Sequence, residues 1–200
     1  MRAKTLMASL AMGAVMMCGA AHAQMGVMKM QEKMPAGASE TPAKAMDDLV
    51  GLLEGEMMGV VKAMPADKFG FAPSAATFAP AQGAKFEGVR TFAEQCTHVA
   101  EANFYFYSAV SGLTPDVDMK AITTLKGKDE VVAMLAKSFA FAHQAVATIT
   151  PQNAFLTIKA VDGMQTRASL AAFGVAHGYD HYGQMVEYLR MNGTLPLGSK

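Results

Sequence analysis

The chain has 200 residues, 52% of them hydrophobic and 17% charged, with 18 Met, two Cys and no Trp. That length suits one domain with a sizeable core. Lys plus Arg equals Asp plus Glu, 17 each, which gives neither the basic surplus of a nucleic-acid binder nor the acidic excess of a disordered chain. Two cysteines are too few for a zinc ribbon or a disulfide framework, and no Cys-x-x-Cys-His is present for a c-type haem.

Residues 1–23 read as a signal peptide. Arg2 and Lys4 make a positive start, Leu6 to Gly19 an apolar stretch, and Ala21-His22-Ala23 the small residues that a signal peptidase reads before Gln24. The apolar run is short for a spanning helix, so cleavage leaves no stable membrane anchor. A lipoprotein would use Cys18, but Met17 is bulkier than such sites prefer. The expectation is a periplasmic or secreted protein, slightly acidic once Arg2 and Lys4 are gone. Cys18 and His22 leave with the signal. Cys96 is then the only thiol, which excludes an intramolecular disulfide, and His98, His143, His177 and His181 remain.

Residues 24–39 form a leader rich in Met, Lys, Gly and Ala without an apolar period, and are expected to be flexible. Met25, Met28, Met30 and Met34 offer soft thioethers of the kind that suit Cu(I), although 18 Met spread through the chain equally suit gap-filling in a core.

Residues 40–200 carry four stretches of helical patterning and no convincing alternating strand. The first is expected over about Thr41 to Met64, with Thr41 as N-cap, Pro42 in the first turn and Pro65 as the stop. Its apolar positions are Leu49, Leu52, Leu53, Met57, Val60, Val61 and Met64. A long connection from Met64 to Gly88 contains Phe69, Phe71, Phe78 and Phe86, too apolar for a solvated linker, so it should pack across the bundle. The second helix is expected over Val89 to Val110, closed by Gly112. The third should run from Lys128 to Thr150 before Pro151, and the last from Thr166 or Arg167 to Met191, with Asn192-Gly193 as its cap and Pro196 beyond. Four such helices predict an all-α four-helix bundle with a long loop between the first two. Stripes of Ala, Gly and Met on the first and third helices suit a homodimer.

His177 and His181 are four residues apart in a strongly patterned helix, so both side chains share one face within reach of one metal ion. Such a pair is a common half of a Zn²⁺ or Ni²⁺ site. His98, mid-way along the second helix, is able to face the pair across the core. Three neutral imidazoles would leave a coordination position for water or substrate, as catalytic sites do. Packing alone is the competing reading of the spacing. No Glu follows His177, which excludes the His-Glu-x-x-His peptidase arrangement.

The segment Val175 to Gly193, with His177 and His181, resembles the C-terminal helix of DinB-like proteins. Phe86 to Ala100, with His98, is similar to their second helix, and Met64 to Phe71 to the loop between their first two helices. The likeness extends from about Lys44 to Pro196. The resemblance implies a four-helix bundle holding a divalent metal on His98, His177 and His181. It further implies relatives that include thiol-dependent S-transferases, in which the metal lowers the pKa of a low-molecular-weight thiol. Those thiols are cytosolic and this chain reads as exported, which points to another small-molecule substrate and to metal-bound water as nucleophile. The expected function is therefore a divalent-metal-dependent hydrolase or transferase. The alternative is a non-catalytic bundle that binds metal or a small ligand in the periplasm.

Gln184 shares the face of the histidine pair and is placed to orient a bound water or ligand. Asp180 is placed to receive a ring N–H, and Glu94 and Glu101 flank His98 as candidate partners or a fourth ligand; for each, solvation or capping is the competing role. Tyr105, Tyr179 and Tyr182 read as core and rim aromatics. His143 reads as a satisfied core or surface histidine, and Cys96, about 200° round the helix from His98, as a small core hydrophobe.

Overall fold

Thr41 caps the first helix, α1 (Pro42–Ala63). Its hydroxyl accepts from the Lys44 N–H at 3.2 Å, and Pro42 stands where the missing N–H costs nothing. The computed structural model describes residues 34–77, 83 and 85–195, all but Met34 within one compact unit that begins at Pro35. Residues 1–23, expected to be a signal peptide, most of the expected Met-rich leader, Phe78 and Pro196 lie outside the described residues.

The second helix, α2 (Phe92–Ser111), begins three residues later than the apolar pattern suggests, because Thr91 builds a capping box. Thr91 Oγ1 accepts from the Glu94 N–H at 3.2 Å, and the Glu94 carboxylate accepts from the Thr91 N–H at 2.9 Å. It ends at Gly112, whose φ of 80° is the left-handed cap. A one-turn helix that the periodicity did not reveal, α3 (Met119–Ile122), is capped by Asp118 and buries Ile122. The next, α4 (Lys128–Val146), stops four residues short of Thr150. Pro151 disfavours helical backbone at Thr150, and Thr150 and Asn153 instead bond one another's backbone N–H groups. The last helix, α5 (Arg167–Met191), starts on a second capping box, Thr166 with Ser169, and closes at Asn192. The described chain is thus mostly helical, and the all-α expectation holds.

The expectation of no strand does not hold. Between α4 and α5 a small antiparallel hairpin pairs β1 (Thr157–Val161) with β2 (Met164–Thr166), Val161 opposite Met164. Asp162 at φ 46° and Gly163 at φ 82° form its two-residue turn. Positive φ at both central residues gives the twist that tight hairpins need, and Asp-Gly is among the sequences that supply it.

The strong helix contacts run in a ring: α2 against α4 and α5, and α1 against the same two. This sets α1 and α2 on one diagonal of the bundle. The core fills the centre with Leu53, Met57, Phe104, Tyr107, Leu135, Phe139 and Leu170, each essentially inaccessible to water, at about 1.5–3 kcal/mol for each large aliphatic or Phe side chain. On α1 the buried residues are Val50, Leu53, Met57, Met58, Val60 and Val61, with Met64 buried at its C-cap; Leu49 and Leu52, read from the sequence as part of this face, are 40% and 42% exposed.

The long connection does pack on the bundle. Phe69 is buried edge-on against Phe92 with centroids 5.3 Å apart, and Phe71 meets Tyr188 the same way at 5.6 Å. The carbonyls of Phe71 and Phe69 accept from Phe92 N and Ala93 N at 2.8 and 2.9 Å, satisfying first-turn N–H groups that α2 cannot bond internally. Among the described residues no helix is long and apolar enough to cross a membrane.

Candidate metal centre

His98 comes from the first half of α2, His177 and His181 from the second half of α5. Two close approaches seat α5 here, one against α2 and one against α1. Tyr107 on α2 donates its hydroxyl to the Ala171 carbonyl at 3.3 Å and lies across Gly174. One turn further along α5, Gly178 lets α1 approach so closely that a Cβ there would fall 2.3 Å from Leu53 Cδ2.

The three imidazoles meet with ring centroids 4.6 Å (His177–His181), 4.7 Å (His98–His181) and 5.2 Å (His98–His177) apart. One nitrogen from each lies within 4.8 Å of the others, so the group could hold a metal ion. The donor set, three imidazoles, suits a metal ion. Two nitrogens bound ~2.05 Å from one tetrahedral centre stand about 3.3 Å apart, and His177 Nε2 and His181 Nε2 are 3.3 Å apart.

Charge state fits as well. Burial, with help from Arg90 and His177, holds His98 down at about 4. Burial and the neighbouring imidazoles hold His181 at about 4 too. His177 is also lowered, by burial against the opposing pull of Asp180 and Asp162. All three are neutral near pH 7, the form that binds metals.

Behind His181 stands a residue that the sequence reading did not single out. Gln95, one turn before His98 on α2 and 2% exposed, accepts from His181 Nδ1 at 2.6 Å. Its amide nitrogen donates to Gln184 Oε1 at 2.8 Å, and Gln184 Nε2 donates to Asp180 Oδ2 at 3.0 Å. Gln184 therefore shares the histidine face as expected but spends its amide on Gln95 and Asp180. Asp180 accepts from Gln184, and its charge reaches His177.

A cleft of about 330 Å³ adjoins the cluster, with His98 and His177 in its wall. Glu101, Ala102, Tyr105 and Phe106 from α2, Met119 from α3 and Asp162 from the hairpin tip complete it. Glu101 thus shares the cleft wall with His98. Glu94 does not join the cluster: it closes the α2 cap and pairs with Lys126 at 3.0 Å. Tyr105 is an exposed cleft wall. Tyr179 and Tyr182 stack edge-on elsewhere on α5, centroids 6.0 Å apart. His143 lies apart, clamped between Asp47 at 2.6 Å and Glu54 at 3.2 Å. Cys96 is fully buried, donates to Met185 Sδ at 3.5 Å, and its thiol is pushed far up by burial. Asp162 was within reach of sequence reading through the Asp-Gly turn; Gln95 and Met119 carried no signal of their own.

Fold and cluster together define a class: an all-α bundle that gathers three histidines from two of its helices into a group able to hold a metal ion. A family model of the DinB superfamily matches residues 30–185, and the chain belongs to that superfamily. No curated protein matches it.

Proposed function

We propose that His98, His177 and His181 hold a divalent metal ion, Zn²⁺ or Ni²⁺, and that the chain is an exported metal-dependent hydrolase or transferase acting on a small molecule. One observation carries this reading: His98 and His177 belong at once to the histidine cluster and to the wall of the adjoining cleft. A structural metal site is closed by protein ligands, whereas a catalytic one keeps a face open to substrate. An ion held there supplies Lewis-acid chemistry.

The protein's own residues do the rest. Phe106 packs edge-on against His177 at 5.4 Å and Phe173 lies at 6.4 Å, keeping water from one side of that imidazole. Gln95 holds His181. Glu101 and Asp162 offer carboxylates on the cleft side, where they accept N–H or O–H groups of a bound molecule. Export under the 1–23 signal separates the chain from cytosolic thiols, which favours a substrate other than those of the thiol-dependent relatives.

The test is elemental analysis of untagged protein purified without chelator, beside a His177→Ala/His181→Ala variant. About one equivalent of metal in the wild type, lost in the folded variant, is expected. A wild type that is metal-free and takes up neither Zn²⁺ nor Ni²⁺ on titration overturns the proposal and reduces the histidines to packing.

A further inference from the structure

Asp180, Gln184, Gln95 and His181 form one continuous chain of hydrogen bonds, 3.0, 2.8 and 2.6 Å long, that crosses between α5 and α2 at the level of the histidine cluster. Its direction is set at one end. The Asp180 carboxylate only accepts, so Gln184 must turn its NH₂ towards it. That leaves Gln184 Oε1 facing Gln95, which must answer with its own NH₂. Gln95 Oε1 then faces His181 Nδ1, which must carry the proton. Either glutamine alone could be turned end for end; the carboxylate removes that freedom from both. With Nδ1 as donor, the Nε2 of His181 keeps its lone pair, on the side where His177 Nε2 lies 3.3 Å away.

We propose that Asp180, Gln184 and Gln95 are positioning residues: a directional relay that holds His181 in a single tautomer, Nδ1 protonated and Nε2 open to a metal ion. The tautomer is a property of the protein before any ion binds; its use as a metal ligand rests on the function proposed above. Metal-ligating histidines are oriented in this way by the acceptor on their other nitrogen, and loss of such an acceptor commonly weakens binding 10–100-fold. The spacing shows how the sequence builds it. Gln95 precedes His98 by three residues and Gln184 follows His181 by three, so each helix presents one glutamine and one ligand on the same face.

Long-range ¹H–¹⁵N spectra of chelator-treated protein at pH 7.5 read the tautomer directly, and competition against a chelator reads Zn²⁺ affinity. Wild type is expected to show His181 protonated at Nδ1. Gln95→Leu removes the acceptor, and His181 is expected to shift to the Nε2–H form with Zn²⁺ bound about 10–100-fold more weakly. Gln95→Glu keeps an acceptor facing Nδ1 and is expected to restore both readouts, which a purely packing role would not predict. Should Gln95→Leu not fold, Asp180→Asn, at the exposed end of the relay, tests the same point: an amide there can donate or accept, so mixed tautomers are expected. A wild-type His181 protonated at Nε2, or Nδ1–H persisting in every folded variant, overturns the relay. A correct tautomer in a wild type that takes up no Zn²⁺ upholds the relay and sinks the metal reading instead.

Discussion

Gly178 and Leu53 meet where α5 crosses α1, with no room for a methyl group between them: a Cβ on Gly178 would fall 2.3 Å from Leu53 Cδ2 and 3.3 Å from Cγ. Leu53 is itself 1% exposed, so its side chain has little room to retreat. Gly178 also separates His177 from Tyr179 on the turn that carries the histidine pair. A glycine in mid-helix costs about 1 kcal/mol relative to Ala, and its presence here is explained by this contact.

Gly178→Ala is therefore expected to destabilise the fold, because overpacking at about 1–3 kcal/mol outweighs the gain in helix propensity. Gly183 lies five residues on in the same helix, and a methyl group added there would meet nothing within 4 Å. Gly183→Ala should stabilise by about 0.5–1 kcal/mol. Chemical denaturation of both variants checks the pair, and a Gly178→Ala that is stabilised as Gly183→Ala is would remove the steric account of Gly178.

His143 gives the fold a pH dependence of its own. Burial pushes its pKa down, but the Asp47 and Glu54 carboxylates, at 2.6 and 3.2 Å, outweigh that and leave it raised. The folded state thus holds this proton more tightly than the unfolded chain does. Its stabilisation is fully present below the ordinary histidine pKa of about 6.5 and is lost as pH rises through the folded value. The side chain is 31% exposed, so the contribution is of surface size, up to about 1 kcal/mol. His143→Gln should lower the thermal midpoint more at pH 5.5 than at pH 9; an equal decrement at both would refute the ion-pair account.

The helices were legible because their ends are written locally. Thr41-Pro42 and Pro65 bound α1, and Gly112 and Asn192-Gly193 close α2 and α5 within a residue or two of expectation. At the start of α2 the Thr91–Glu94 box overrode the apolar pattern that begins at Val89. The pairing of His177 with His181 was legible from helical spacing, and His98 joined them through helix order and family resemblance. Gln95 was not legible. Whether Gln95, the one glutamine of α2, meets His181 depends on how α2 and α5 cross, a relation fixed by Tyr107 against Gly174 rather than by any local pattern. The hairpin was missed for a different reason. Its strands are short, with no clean alternation in β1, so the Asp162-Gly163 turn was the one local cue.

That turn ties the hairpin to the site, and substitutions at Asp162 separate its two roles. Asp tolerates the left-handed φ of 46° far better than a β-branched residue does. Asp162→Val should cost about 1–2 kcal/mol and loosen the hairpin tip that walls the cleft. Asp162→Asn should leave stability nearly unchanged, since Asn suits the same turn, while removing a negative charge that acts on His177. Burial lowers the His177 pKa and Asp162 opposes that lowering, so in metal-free protein the Asn variant should titrate His177 at a lower pH than wild type does. An NMR titration of the imidazole resonances reads this directly. A His177 that titrates unchanged in Asp162→Asn would place the hairpin carboxylate out of electrical reach of the cluster, and with it any part for Asp162 in orienting a bound molecule beside His177.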